Sequence, residues 1–386
     1  MAFNRRQFIK SGSAALPALL PFSGAMAAES SFSPENDEVV NFFLDGKMFD
    51  PSDYLVELQK ANADAAIVKD RYGVGGAVEQ LEKRFAEITG KEKAIFMPSG
   101  TMANQLAIAV LSGENTKVIV QDTSHVYRDE ADAAQTVFGK RLVPLAEGEA
   151  FFTAERLKRY IGELPNDEAF KSGIGAVSIE NPVRRADGRV VPLDEIRKIS
   201  EFCTANKIKL HLDGARLFMA SAWTGVSIRE YASYFDTVYI SLYKYLGASA
   251  GAVLCGNASV IDKMPHLIKV HGGSMYGNWA NAAMALHRLH GMEKRLKEAI
   301  QRAGVIFAEM NKIPGVAVSP LQGGTNIYSM KLSAAIDGKK MREKLVKEHQ
   351  VFMPRLLDGN QMLITVNETL LNQSADKLIS AFRGSL

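Results

Sequence analysis

The sequence predicts an α/β protein: a mostly parallel central sheet with helices on both faces, followed by a small C-terminal α+β domain. Three observations lead there. Short apolar runs recur seven times between residues 94 and 254, helical periodicity separates most of them, and no repeat or low-complexity linker interrupts the series. Strands that are apolar throughout are buried on both faces, which is the habit of parallel sheets. Strands that alternate with helices pair in parallel through crossover connections.

The elements can be justified in order. Gly76 to Gly90 carries Val78, Leu81, Phe85 and Ile88 at helical spacing and closes on glycine, a helix with its stop signal. The apolar runs are Ala94–Met97, Val118–Val120, Leu142–Leu145, Ala176–Ile179, Ile208–Leu212, Val238–Ile240 and Ala252–Leu254. Leu193 to Asn206 reads as a covering helix, and Asn278 to Lys312 as one long helical stretch leading into the smaller segment. The 386 residues predict two domains at about 150 residues each. We place the large one at 71–295 and the small one at 296–386, with 28–70 as an N-terminal arm.

Composition narrows the class. A chain that is 47% hydrophobic and 23% charged has ample core and is not disordered. Its two cysteines make neither a disulfide framework nor a zinc spacing. No metal site is expected. Net charge is +3, and Arg5, Arg6 and Lys10 supply three of the 46 bases, leaving 43 against 43 acids in the rest. Such a neutral body carries no nucleic-acid footprint. Residues 1–27 read as an export signal, with a basic start, a modest apolar run to Phe22 and a small-residue site at Ala25-Met26-Ala27. The paired arginines ahead of Phe8 resemble a twin-arginine signal, a receptor-read address rather than an anchor. The expectation is a periplasmic or exported protein with no stable membrane anchoring.

In parallel sheets, chemistry gathers beyond the carboxyl ends of the strands. Four strand ends here carry polar groups. Pro98-Ser99-Gly100-Thr101 opens a helix, with Asn104 in its first turn; a helix start of small residues is either a simple cap or an anion seat. His125 follows the second run and could lie flat on an aromatic ligand. Asp213 ends the fifth run, where a lone buried carboxylate is costly without a cation. Its partner is either Arg216, three residues on, or a protonated ring nitrogen of a ligand, with Arg216 then free to grip a carboxylate. Lys244 lies between an apolar strand and the loop Gly247-Ala248-Ser249-Ala250-Gly251. Burial lowers a lysine's pKa and favours a Schiff-base amine. Phosphate seat, stacking histidine, acid, arginine and buried lysine, in that order, describe a site for pyridoxal 5'-phosphate.

Over residues 66 to 300 the chain resembles the low-specificity threonine aldolase and β-eliminating lyase family of fold-type I pyridoxal phosphate enzymes. The resemblance rests on Asp70-Arg71-Tyr72-Gly73, Ala94 to Asn104, His125, Ile179-Glu180-Asn181, His211 to Arg216, Leu242-Tyr243-Lys244 and Gly272-Gly273-Ser274-Met275. It implies that Lys244 carries the cofactor as a Schiff base, that Asp213 meets the pyridine nitrogen and that His125 stacks on the ring. It further implies that Ser99, Gly100 and Thr101 hold the phosphate and that Arg216 holds the substrate carboxylate. Tyr72 is expected to reach a neighbouring subunit's site, which implies a homodimer or homotetramer with shared active sites. The catalytic set is then Lys244, His125 and Asp213, and the partner is a small-molecule amino acid.

The sequence also departs from that family. The family's Ser-Asp-Thr element stands here as Leu44-Asp45-Gly46, Tyr243 replaces the serine before the lysine, and Tyr276 replaces an arginine near the phosphate. The histidine after Glu-Asn that meets the β-hydroxyl has no counterpart, because Asn181 leads into Pro182-Val183-Arg184-Arg185. A second carboxylate-binding arginine aligns near Met362, with Arg355 close by in sequence. The expected reaction is retro-aldol cleavage of a β-hydroxy-α-amino acid to glycine and an aldehyde, with His125 as first choice of base and His271 or a water next. The alternative is β-elimination, racemisation or transamination of another amino acid. There, Arg184 and Arg185 either bind a second carboxylate or phosphate or form a solvated loop.

Overall fold

The computed structural model describes residues 38–167, 169 and 172–386. The signal segment at 1–27 and the polar stretch at 28–37 lie outside these residues. Strand β1 (Val40–Asn41) and helices α1 (Pro51–Asp64) and α2 (Gly76–Thr89) precede β2 (Lys93–Met97). Next come α3 (Gly100–Ser112), β3 (Lys117–Gln121), β4 (Arg141–Leu145), α4 (Ala154–Asp167), β5 (Ile174–Glu180) and α5 (Leu193–Ala205). Then follow β6 (Lys209–Asp213), α6 (Leu217–Thr224), β7 (Thr237–Ser241) and β8 (Ala252–Gly256).

These strands form one seven-stranded sheet in the order β2-β8-β7-β6-β5-β3-β4. Only β8 runs against its neighbours; the β3–β4, β3–β5, β5–β6 and β6–β7 pairs are parallel. All seven apolar runs in the sequence are strands of this sheet. Register sets the working edge, because Glu180 stands opposite Asp213 and Asp213 opposite Tyr239. Three polar side chains from adjacent strands are thus brought to one end of the sheet. Helix α2 turns Val78, Leu81 and Phe85 into the main core, where all three are fully buried. Each such side chain contributes roughly 1.5–3 kcal/mol of burial.

The remainder is α7 (Trp279–Leu289), α8 (Met292–Met310), β9 (Val316–Pro320), β10 (Ile327–Leu332), α9 (Gly338–His349), β11 (Val351–Phe352), β12 (Gln361–Thr365) and α10 (Ala375–Ser385). The single helix expected over 278–312 is two helices. Gly291 takes a left-handed φ of 68° at the junction, a conformation glycine enters without penalty. Strands β9, β10 and β12 make a three-stranded antiparallel sheet. It packs in a second core with α8, α10, Val40 and Phe42. Strand β1 pairs in parallel with β11, so the chain's early residues are knitted into the C-terminal unit. Among the described residues no helix is long and apolar enough to cross a membrane.

Candidate active site

Helix α3 begins at the carboxyl end of β2. Ser99 caps it, its Oγ accepting from the Met102 N–H at 3.2 Å, so the cap reading holds. The N–H groups of Gly100 and Thr101 have no carbonyl within the helix to bond, which leaves them for an anion. Gly100 is dictated by close approach: a Cβ there would lie 2.1 Å from the Tyr239 hydroxyl oxygen. Tyr239 faces Asp213 across β6 and β7, so the helix start and the Asp213 carboxylate share one neighbourhood.

Asp213 is buried. Its Oδ1 accepts from the Ala215 N–H at 3.1 Å, and its Oδ2 from Asn104 Nδ2 at 2.9 Å. Asn104 Nδ2 also donates to Glu130 Oε1 at 2.8 Å, and the same oxygen lies 3.0 Å from His125 Nδ1. Facing a carboxylate, Nδ1 carries the proton and Nε2 is left for another group. Burial opposes charge on His125, but the Glu130 bond and the charges of Asp213, Glu130 and Glu180 outweigh it and raise its pKa. Behind this network, His211 is held neutral by burial, its pKa pushed down to about 4. His211 Nε2 lies 3.0 Å from Asn104 Oδ1, and its Nδ1 2.8 Å from Thr237 Oγ1. Asn104 Oδ1 can only accept, so His211 donates through Nε2 and takes the Thr237 proton at Nδ1. That bond fixes which way the Asn104 amide faces.

The Asp213–Arg216 pairing considered from sequence does not occur. Arg216 binds Asp45 through two bonds, Nε to Oδ1 at 2.7 Å and Nη2 to Oδ2 at 2.9 Å. Nor is Arg216 wholly free for a substrate, because one edge of its fork is taken; Nη1 and the outer hydrogen of Nη2 remain. Among the described residues no basic group stands within ion-pair distance of Asp213. A buried carboxylate with no cationic partner is costly, so the site has a place for a cation.

Arg216, Asp45 and Lys244 line a cleft of about 360 Å³ between the two sheets, with Tyr243, Arg184, Thr325, Asn326 and Thr365 on its walls. That volume is within the usual range of small-molecule sites. Lys244 follows β7 and makes no hydrogen bond or ion pair with a described residue. Burial, helped by the nearby Arg216 charge, lowers its amine to about 8. Glu180 is buried and its pKa is raised, by burial first and then by Asp213. One of its oxygens accepts from the His125 N–H at 2.7 Å and the other from the Arg184 N–H at 2.9 Å, so it fixes two loops at once.

Tyr72 stands apart. Half-exposed, it meets Tyr276 edge-on with ring centroids 5.3 Å apart, and it does not line the Lys244 cleft of its own chain. His271 packs on Phe138 and also lies off the cleft. Met362 is fully buried and Arg355 is exposed, and neither lines the cleft. Sequence reasoning assigned no role to Asp45, Glu130, Glu180 or His211. Asp45, Glu180 and His211 lie inside motifs named above, and a buried-strand position is the available signal for Glu180 and His211.

The β-eliminating lyase family model matches residues 53–333. The chain belongs to this family. Among curated lyase-family relatives, it is 36% identical over 238 residues to the low-specificity L-threonine aldolase of Candida albicans, covering 58% of this chain and 63% of that protein. The chain thus spans somewhat under two thirds of that relative's length. It is 33% identical over 307 residues to the low specificity L-threonine aldolase of Saccharomyces cerevisiae, covering 78% and 77%. Among solved structures, a candidate L-allo-threonine aldolase from Listeria monocytogenes superposes with a TM-score of 0.74 at 24% identity, covering 91% of this chain and 98% of that one. An SPT with PLP gives a TM-score of 0.62 at 16% identity, covering 90% and 88%. These superpositions establish the fold-type I architecture of this chain.

Proposed function

We propose that the protein is a pyridoxal phosphate-dependent lyase that cleaves a β-hydroxy-α-amino acid into glycine and an aldehyde. One observation carries the reading: the buried Asp213, with no cation within ion-pair distance, lies near enough to the Lys244 amine to act on its charge, and burial lowers that amine. The residues fit the cofactor part by part. Asp213 would meet a protonated pyridine nitrogen, Lys244 an aldehyde carbon, and the start of α3 a phosphate. When bound, the cofactor supplies an electron sink for the pair released as the Cα–Cβ bond breaks.

The chain's own residues do the remaining work. Arg216, oriented by Asp45, offers its Nη1 edge to the substrate carboxylate. His125, with Nδ1 engaged by Glu130, presents Nε2 as the nitrogen able to take the β-hydroxyl proton. The low amine pKa of Lys244 keeps it available as a proton carrier near neutral pH. The relatives named above as threonine aldolases support this substrate class. The test is to supply threonine and allo-threonine to the cofactor-loaded protein and measure acetaldehyde and glycine. Equal amounts of both support the reading; ammonia and a keto acid instead indicate elimination, favoured by the absence of the family's β-hydroxyl histidine.

Two further proposals accompany it. Tyr72, Val74, Val270, Met275, Tyr276 and Trp279 are exposed apolar residues close in sequence to the family's glycine-rich loops, which supports assembly of at least two copies. Light scattering measures the mass. The basic, acid-free stretch at residues 1–27 supports export to the periplasm by the twin-arginine route, and cell fractionation with and without Arg5 and Arg6 tests it.

A further inference from the structure

Arg184 is a second cation in the Lys244 cleft, and its surroundings leave it unspent. It lines the cleft with Arg216, Lys244 and Asp45, giving three bases against one acid on the walls. Arg216 and Asp45 neutralise each other and Lys244 is reserved for the cofactor, so once the substrate's own carboxylate is placed at Arg216, Arg184 is the cation left on the walls. Arg184 has one long contact, Nη1 to Asp129 Oδ2 at 3.4 Å. That acid already belongs to Arg185, which grips both of its oxygens, with Nε to Oδ2 at 2.8 Å. No other side-chain bond of Arg184 to a described residue exists.

The backbone under Arg184 is firmly placed. Its N–H is held by Glu180, and the turn is closed by the Val183–Arg189 bridge and by Val191 N–H donating to Asn181 Oδ1 at 2.8 Å. Thr325 Oγ1 donates to the Gly188 carbonyl at 2.8 Å and ties the turn to the second sheet. A half-exposed guanidinium on a fixed turn is arranged to meet a ligand rather than to float, since Arg's planar fork loses little freedom on pairing with a carboxylate. Arg184 shares the cleft with Arg216 and Lys244 but takes no part in the Arg216–Asp45 pair, so with the substrate's own carboxylate at Arg216 its guanidinium is left for the other end of the substrate.

We infer that Arg184 selects amino acids whose side chain ends in a carboxylate, which makes the substrate class acidic. This rests on the proposed amino-acid site at Lys244 and Arg216, but not on which bond is broken there.

The test is calorimetric binding to the cofactor-loaded protein of L-aspartate, L-glutamate and L-2-aminobutyrate, which carry no β-hydroxyl and so undergo no retro-aldol cleavage. At least one acidic ligand is expected to bind 10-fold or more tightly than L-2-aminobutyrate at low salt, with the ratio shrinking as ionic strength rises. Arg184→Ala and Arg184→Gln bring the ratio near one, while Arg184→Lys keeps part of it. A wild-type ratio near one overturns the inference, as does a preference that survives in both Arg184→Ala and Arg184→Gln. Retro-aldol cleavage is scored separately, as acetaldehyde from threonine or glyoxylate from 3-hydroxyaspartate: absence of both alongside an Arg184-dependent acidic preference sinks the aldolase reading and leaves this inference standing.

Discussion

Glu130 and His125 are joined at 3.0 Å, oxygen to Nδ1, and Asn104 links that same oxygen to the Asp213 carboxylate. One ligand-capable atom from each of His125, Glu130 and Asp213 lies within 4.8 Å of the others. Two buried acids therefore bear on one imidazole. The acids reach the ring from β6 and from the loop after the short helix His125–Arg128.

The Glu130 bond gives a pH prediction. The native pKa of His125 is raised, so a neutral, proton-accepting His125 is present only above that raised value. Activity is expected to climb with pH through it. Glu130→Gln removes the charge and one cause of the raise, so the rising limb of kcat moves to lower pH. A limb that stays in place shows that another group titrates.

Asp45 is a positioning residue for Arg216. Asp45→Asn leaves a polar partner but removes the charge-assisted pair, an interaction of about 1.5–3 kcal/mol. The expected result is a substrate KM raised about 10-fold or more, with the cofactor absorbance band unchanged. If cofactor is lost while KM holds, Asp45 serves the cofactor instead.

Gly100 leaves no space for a side chain because the Tyr239 hydroxyl fills it. Gly100→Ala pushes the start of α3 away from Tyr239, and cofactor affinity is expected to fall at least about 10-fold, with a destabilisation of about 1–3 kcal/mol typical of overpacking. Adding Tyr239→Phe removes the nearest atom and should restore part of both. Unchanged cofactor affinity in Gly100→Ala places the phosphate elsewhere.

Lys244 sets the pH dependence of cofactor loading. Its amine is lowered to about 8, and only the deprotonated amine attacks an aldehyde carbon. The rate of cofactor uptake by the cofactor-free protein should rise up to about pH 8 and then level off. A rate still climbing toward the ordinary lysine range contradicts a desolvated Lys244. Stopped-flow absorbance reads this directly.

What the sequence discloses follows from which forces are local. The seven sheet strands are legible because each is a short apolar run between turn and helix signals, and Ala94–Met97 or Val238–Ile240 needs no partner to declare itself. Lys244, Asp213 and His125 are legible because each sits at the end of such a run. The Arg216–Asp45 pair is not, since 171 residues separate its members and no periodicity connects them. Glu130 is hidden for a different reason: beside Asp129 it reads as one more surface acid, and only folding shows that it is buried against Asn104. Strand β1 is two residues long and gains its identity from β11. The helix break at Gly291 is masked by apolar periodicity continuing on both sides.

The central claim is that Lys244 is the residue that holds the cofactor. Borohydride reduction of the cofactor-loaded protein, followed by peptide mass spectrometry, tests it most directly. The account predicts one pyridoxyl-modified peptide, the one containing Lys244, and no modified peptide in Lys244→Ala. A label on another lysine, or none on a wild-type protein loaded with pyridoxal phosphate, contradicts it.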